Sequence, residues 1–185
     1  MSSDAAQACP KHDPAAAKQL LTSAGAVAPV KVSVVLANTP EERRLGEAIQ
    51  AQAKEGGFEV ELVPTEFSAS LDQTDAGKYQ LFRIGWSGRV DPDGNIANFV
   101  RSQASQNISG YADPAMDALI DQARATPDLA KRRDLYGQIV TKLHEDVPLI
   151  YLYRAKNLTG VSSKVVGVRM YGDGLIRFGT AGFAA

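Results

Sequence analysis

The sequence predicts an α/β fold, in which the strands of a parallel-rich sheet alternate with helices and an irregular C-terminal tail follows. Residues 30–36 and 58–63 have the apolar alternation of strands, and a helical pattern of about 15 residues separates them. A third strand-like stretch, residues 80–85, follows a short helix and turn at 66–78. The strand–helix–strand order predicts a right-handed crossover and parallel pairing.

Helix boundaries in the first half are marked by capping residues. Asp13 followed by proline is typical of a helix start, and Gly25 is a natural helix end. Thr39-Pro-Glu-Glu42 has the form of a capping box, and the helix that it begins ends at Gly56. The residues of this helix that we expect to face inward are Leu45, Ala48, Ile49 and Ala53.

The second half predicts two further amphipathic helices, one from Asp113-Pro114 and one over about 128–146. Residues 96–100 suggest a helical turn, and 149–153 a strand. Short β-prone pieces follow at 158–161, 165–170 and 175–178. We therefore divide the chain into a flexible arm (1–12), a main domain (13–154) and a tail (155–185).

Charge and composition narrow the classes of function. The net charge is −1, and the basic residues are scattered apart from one helical triplet, so nucleic-acid binding is not predicted. No apolar run approaches the roughly 18 residues that a membrane span needs. Residues 1–10 lack the basic and apolar regions of a secretory signal, which indicates either a cytoplasmic protein or a trimmed chain.

Catalysis and metal binding find little support, and we expect no cofactor. The two histidines are His12, in the arm, and His144, late in a helix, and no nucleophile elbow is present. The sequence Asp91-Pro-Asp93-Gly-Asn95 copies the first three oxygen ligands of a calcium loop. It then has Ile96 where that loop needs glycine, so we interpret it as a turn.

The chemistry-bearing residues cluster where the third strand ends. We expect a ligand site there, built from Arg83, Gly85, Trp86, Ser87, Arg89 and Asp91. A guanidinium is suited to carboxylate or phosphate, and an indole provides a flat apolar wall. The alternative is that Trp86 is a core residue and that the two arginines pair with Asp91, Asp93 or Glu66.

Five stretches, in order, resemble the C-terminal lobe of the family 5 extracellular solute-binding proteins, the dipeptide/oligopeptide/nickel-type receptors of ABC importers. Together they cover nearly the whole chain from Asp13. The stretches are Asp13–Gly25, Glu47–Val63, Lys78–Trp86 with Asp91-Pro92, Asn107–Asp117 and Arg133–Ile150. They resemble the motifs DPxKAKxLLxEAG, AxxIQxxLxxxGxxVxL, YDxxxxGW…DPD, N…GYxNPxxD and RxxLY…PxI.

The resemblance implies a type II periplasmic-binding-protein lobe, in which a parallel-rich sheet has helices on both faces. Such a lobe would hold a small-molecule solute in a cleft against a first lobe preceding residue 1. The resemblance also implies that the lobe delivers its solute to ABC permease subunits, that the protein is periplasmic or extracellular, and that it catalyses no reaction. The only contact with a membrane would be through the permease. We expect one lobe of a longer protein, whose tail crosses toward the first lobe; a naturally truncated gene is the alternative. A sensor or interaction domain that reuses the lobe is the other functional hypothesis.

One position departs from the family. In peptide-binding members that resemble this chain, an aspartate three residues after the tryptophan holds the ligand's amine, whereas this chain has Arg89. Arg83 corresponds to an arginine that some members use near a ligand carboxylate. The resemblance with this departure therefore predicts an anionic solute or a modified peptide.

Overall fold

A parallel sheet is present where the strand–helix–strand pattern predicts it. Strands β1 (Val30–Ala37), β2 (Phe58–Thr65) and β3 (Leu81–Phe82) lie in the order β2-β1-β3. Val30 is paired with Phe58, and Val34 with Leu81, both in parallel register. The third strand is shorter than the predicted 80–85.

The structure is a computed structural model that describes residues 11–153, 155–156, 158–172 and 174–184. These residues divide into two compact units, one ending at Gly85 and the other beginning at Trp86. Most of the predicted arm lies outside the described residues. The predicted domain boundaries at 12 and 154 stay predictions.

The helices of the first unit begin where the capping residues indicate. They are α1 (Pro14–Ser23), α2 (Pro40–Glu55) and α3 (Phe67–Asp75). Asp13 Oδ1 accepts the N–H of Ala16 at 2.9 Å, and Thr39 Oγ1 accepts that of Glu42 at 3.3 Å. Gly25 follows α1 with φ +71°, a conformation that favours glycine.

The core of the first unit lies between α2 and the sheet, around Val34, Leu36 and Val60. Gly46 is the buried residue of α2, and a Cβ there would lie 2.8 Å from Leu62 Cδ1. The prediction that Ala48 faces inward is wrong, because that residue is exposed. The missing side chain at position 46 allows α2 to approach the sheet closely.

The second unit has its own helical core. Its helices are α4 (Asp93–Val100), α5 (Pro114–Ala125) and α6 (Leu129–Asp146). Seven of its residues form one buried apolar cluster: Ala97, Val100, Met116, Ile120, Ala123, Ile139 and Leu143. The last five of these lie on α5 and α6 and confirm that both helices are amphipathic, as predicted.

A polar cluster joins the start of α5 to the end of α6. Lys142 Nζ lies 2.7 Å from Asp113 Oδ2 and 3.0 Å from Asp146 Oδ2, and the Tyr111 hydroxyl donates to the same Asp146 oxygen at 2.5 Å. The hydrogen bond from Lys142 lowers the pKa of Asp113. This cluster fixes the two helix ends to each other.

The chain after α6 is less regular than predicted. Residues 149–153 form no strand, and Ile150 and Tyr153 expose about two thirds of their surface. In the part of the tail that the structure describes, four two-residue strands form two antiparallel pairs. They are β4 (Val165–Val166), β5 (Arg169–Met170), β6 (Ile176–Arg177) and β7 (Gly182–Phe183).

The stretch 158–161 forms no strand either. Isolated apolar runs need a partner strand or a covering layer, and the described residues supply neither here. Within the described residues, no helix combines the length and apolarity that crossing a bilayer requires.

Candidate functional site

The predicted site residues fall into both units. Arg83 and Gly85 belong to the first, whereas Trp86, Ser87, Arg89 and Asp91 belong to the second. We describe each set within its own unit.

Arg83 follows β3 directly, and its N–H donates to the carbonyl of Val35 at 2.8 Å. Its Nη2 lies 3.0 Å from Glu42 Oε1, and the two side chains expose only 15% and 18% of their surface. The charge of Arg83 is therefore balanced by an acid of α2, which is none of the acids that the alternative interpretation named. Glu42 makes this ion pair instead of completing the predicted capping box.

A cavity of about 120 Å³ adjoins this ion pair. Its walls include Ala37, Glu42, Phe67, Ser70, Arg83 and Gly85, all of the first unit. No group of the described residues donates a hydrogen bond to the buried Oε2 of Glu42. The backbone at Gly85 is open, with only the Arg83 side chain near the position of a Cβ.

Trp86 begins the second unit and is neither fully packed nor fully free. Its indole meets the ring of Phe99 edge-on at 5.0 Å between centroids, and 39% of the residue remains exposed. Its Nε1–H donates to Asn95 Oδ1 at 3.1 Å. The indole is thus held by Phe99 and Asn95, and the residue remains partly exposed.

Asn95 ties the loop together with four hydrogen bonds, which we call the Asn95 clasp. Oδ1 accepts from Trp86 Nε1 and, at 2.6 Å, from the N–H of Arg89. Nδ2 donates to the carbonyls of Arg89 at 2.8 Å and Asp91 at 3.0 Å. The amide group thus uses both of its donors and both of its acceptor positions.

The guanidinium of Arg89 lies over the indole of Trp86. Its Cζ is 4.2 Å from the centroid of the Trp86 ring, a cation–π contact. Nη1 donates to Ser87 Oγ at 3.1 Å and to the carbonyl of Gly88 at 2.7 Å. Among the described residues no carboxylate pairs with this guanidinium, so its charge is not neutralised within the loop.

The acids of the loop are neutralised by arginines of the helices. Asp91 accepts two hydrogen bonds from Arg132, at 2.7 and 2.9 Å, and one from the N–H of Asp93 at 2.9 Å. The bonds from Arg132 lower the pKa of Asp91. Asp93 accepts from Arg124 Nε at 2.7 Å. Both acids of the stretch that partly copies a calcium loop are thus used in ion pairs.

The interpretation of residues 91–95 as a turn is wrong for its last part. Asp93, Gly94 and Asn95 form the first turn of α4, and the loop's positive φ, +81°, occurs at Gly88 instead. At Gly94 a Cβ would lie 3.0 Å from Cγ of Arg89, so a larger residue there would crowd the stem of that side chain.

Sequence reasoning missed two residues of the site, Asn95 and Arg132. Asn95 stood inside the motif but was interpreted only as a turn residue. Arg132 belonged to a basic triplet with the appearance of a solvated helix face. No local signal connects either residue to its partners.

Comparison with known proteins shows that the chain is similar to bacterial solute-binding proteins. The family description "Bacterial extracellular solute-binding proteins, family 5 Middle" matches residues 2–107. The dipeptide-binding protein of Escherichia coli (strain K12) is 30% identical over 165 residues, which are 84% of this chain and 31% of that protein. The chain thus spans less than a third of this curated relative.

Solved structures show the same relationship. The ABC transporter substrate-binding protein CtaP from Listeria monocytogenes matches with a TM-score of 0.66 and 28% identity, over 72% of this chain and 28% of that one. A dipeptide-binding protein from Pseudoalteromonas sp. SM9913, in complex with Met-Leu, matches with a TM-score of 0.79 and 23% identity, over 96% and 37%. The predicted fold class is confirmed by these likenesses.

Proposed function

Because this chain belongs to the family 5 bacterial extracellular solute-binding proteins, we propose that it is a ligand-binding lobe of an ABC-importer receptor. The role is non-catalytic. The lobe captures a small organic solute, and the loaded receptor delivers it to permease subunits. The location of the complete receptor is periplasmic or extracellular, as the names of its periplasmic relatives suggest.

The observation that supports an anionic solute is the state of Arg89. Its guanidinium lies on an exposed indole, with no carboxylate of the described residues to balance it. Asp91 and Asp93, the acids nearest in sequence, are each paired with an arginine of a helix. A carboxylate or phosphate of the solute would supply the missing countercharge.

The contacts that we propose differ in kind. The indole of Trp86 and the guanidinium of Arg89 contact the solute, and the hydroxyl of Ser87 lies beside them. Asp91 contributes a half-exposed carboxylate that Arg132 holds in place. Arg83 and Gly85, in the first unit, are separate contacts that line the cavity there.

Besides the solute, we propose that the chain binds the rest of the receptor. The chain corresponds to 31% of a curated relative, and the tail exposes large apolar side chains such as Leu158, Phe178 and Phe183. Apolar surface of this kind is typical of a protein–protein interface. We propose that the first lobe of the complete receptor covers it.

A titration with charged dipeptides tests the proposed function. Trp86 is the only tryptophan, so its fluorescence reports directly on the loop. We expect Ala-Glu to change this fluorescence at lower concentration than Ala-Lys, and Arg89→Ala to abolish the difference. Calorimetry of the same mixtures checks that the signal is binding. Equal affinity for both peptides, unchanged by Arg89→Ala, would contradict an anionic solute.

A further inference from the structure

We infer that Asn95 is the positioning residue of this site, and that it presents the Nε–Nη2 edge of Arg89 to the anionic group of the solute. The inference depends on the proposed function and names the atoms that carry it out. It adds a residue and an edge of a guanidinium that neither the motif nor the family comparison assigns.

The geometry selects one edge of the guanidinium. A guanidinium binds a carboxylate with two parallel hydrogen bonds, either through both Nη atoms or through Nε and Nη2. Nη1 of Arg89 already donates to Ser87 Oγ and to the carbonyl of Gly88. The central carbon of the group, Cζ, lies over the Trp86 ring. The edge that no described residue engages is therefore Nε–Nη2.

Asn95 fixes the position from which this edge is presented. It holds the N–H and the carbonyl of Arg89 at the same time, at 2.6 and 2.8 Å. It also holds the indole on which the guanidinium lies, through Nε1. One amide therefore sets both the backbone origin of the Arg89 side chain and the surface that supports its end.

The charges around the loop agree with this assignment. Arg132 and Arg124 neutralise Asp91 and Asp93, so neither acid is available to pair with Arg89. A guanidinium that is already oriented loses less side-chain entropy when an anion binds. Asn95 thus affects selectivity for the anion without touching the solute itself.

The test compares two peptides of nearly equal shape, Ala-Glu and Ala-Gln, which differ by one carboxylate. Dissociation constants are measured by Trp86 fluorescence for the unaltered chain and for Asn95→Leu, Asn95→Asp and Arg89→Gln. Asn98→Leu is the matched control, because Asn98 lies on the exposed side of the same helix. Circular dichroism and urea midpoints establish that each variant is folded.

We expect the unaltered chain and Asn98→Leu to prefer Ala-Glu by about tenfold, as a charge-assisted pair at an exposed site allows. Asn95→Leu and Arg89→Gln should reduce this preference to about onefold, because the affinity for Ala-Glu falls more than that for Ala-Gln. Asn95→Asp keeps the size of the side chain but loses both donors and adds a negative charge beside Arg89, so it should lose the preference too.

The outcomes separate the inference from the function on which it depends. A preference for Ala-Glu that persists in folded Asn95→Leu or Asn95→Asp overturns the role of Asn95. If Asn95→Leu does not fold, the isosteric Asn95→Asp decides alone. If neither peptide changes the fluorescence of the unaltered chain at millimolar concentration, the proposed solute binding itself fails.

Discussion

Replacing Gly46 with alanine tests how closely α2 approaches the sheet. Inside a helix, alanine is more favourable than glycine by about 1 kcal/mol. At position 46, however, the new Cβ would lie 2.8 and 2.9 Å from the methyl carbons of Leu62 and 3.1 Å from Leu36 Cδ2. Overpacking of this kind costs about 1–3 kcal/mol, so the net effect is a destabilisation of about 1 kcal/mol.

Gly137, in the middle of α6, provides the matched control. It is exposed, and a Cβ there would meet nothing within 4 Å. The same substitution should therefore stabilise its unit by about 1 kcal/mol. Because each unit is only about half of the chain, each variant should shift the melting temperature of its own unit by about 4–8 °C, in opposite directions.

The assay is thermal unfolding followed by far-ultraviolet circular dichroism, with Trp86 fluorescence reporting the second unit separately. Gly46→Ala should lower the transition of the first unit only, and Gly137→Ala should raise that of the second. An increase for Gly46→Ala equal to that for Gly137→Ala would refute the reasoning, because Leu62 would then yield without cost.

Three further expectations concern the ion pairs and the tail. Arg83→Met leaves Glu42 largely buried without its countercharge and should lower the free energy of unfolding in urea by about 3 kcal/mol. The double variant Arg83→Met, Glu42→Leu should recover most of this loss, and a double variant as unstable as the single one would contradict the reasoning. Gly167→Ala should disrupt the β4–β7 pair, because a Cβ there would overlap a backbone carbonyl across the pair and the φ is +77°; unchanged amide exchange at 165–166 would contradict this. The hydrogen bonds from Arg132 lower the pKa of Asp91, so the ionised carboxylate of Asp91 stabilises the fold at pH values above the usual carboxyl pKa. This stabilisation is lost as the pH falls below about 4. The fluorescence of Trp86 should therefore change below about pH 4 in the unaltered chain. The Asp91→Asn variant should not show this change.

The elements with strong local signals were predicted well. The parallel pairing of β1 and β2 followed from apolar alternation on either side of one helix. The starts of α1, α2 and α5 followed from Asp13, Thr39 and Asp113, whose side chains cap the first turn in the structure. These features depend on residues within a few positions of one another, which sequence patterns represent directly.

Residues 93–95 show why a turn and a helix start are easily confused. Aspartate, glycine and asparagine favour both, because their short polar side chains hydrogen-bond to nearby backbone groups. Here Asp91 Oδ1 accepts the N–H of Asp93, as in a turn, and the helix begins immediately. The choice between them depends on the apolar face of α4, where Ala97 and Val100 are buried.

The partners of the charged residues could not be predicted locally. Glu42 is 41 positions from Arg83, and Asp91 is 41 positions from Arg132, so each pair exists only once the chain is folded. The alternative interpretation chose acids close in sequence and was wrong for that reason. The site residues themselves stay predictions until a solute is bound.

The missing strand at 149–153 has a different cause. Its residues are apolar enough for a strand, but a strand also needs a neighbour with which to exchange backbone hydrogen bonds. No neighbouring strand is present in the described residues, and the side chains of Ile150 and Tyr153 are exposed. A sequence pattern shows that a segment is suited to form a strand, but it does not show whether a neighbouring strand is there to pair with it.

Asn95, whose side chain ties the loop together, also belongs to the first turn of α4. An insertion or deletion between Trp86 and Asn95 would change the distance that the clasp must bridge and would displace the helix start with it. The side chain of Val90, in contrast, is 80% exposed and can change without disturbing the clasp. Selection for a new solute, in nature or in the laboratory, therefore acts through exchange of side chains at constant loop length, and a library should vary residues 87, 89 and 90 while the spacing is kept.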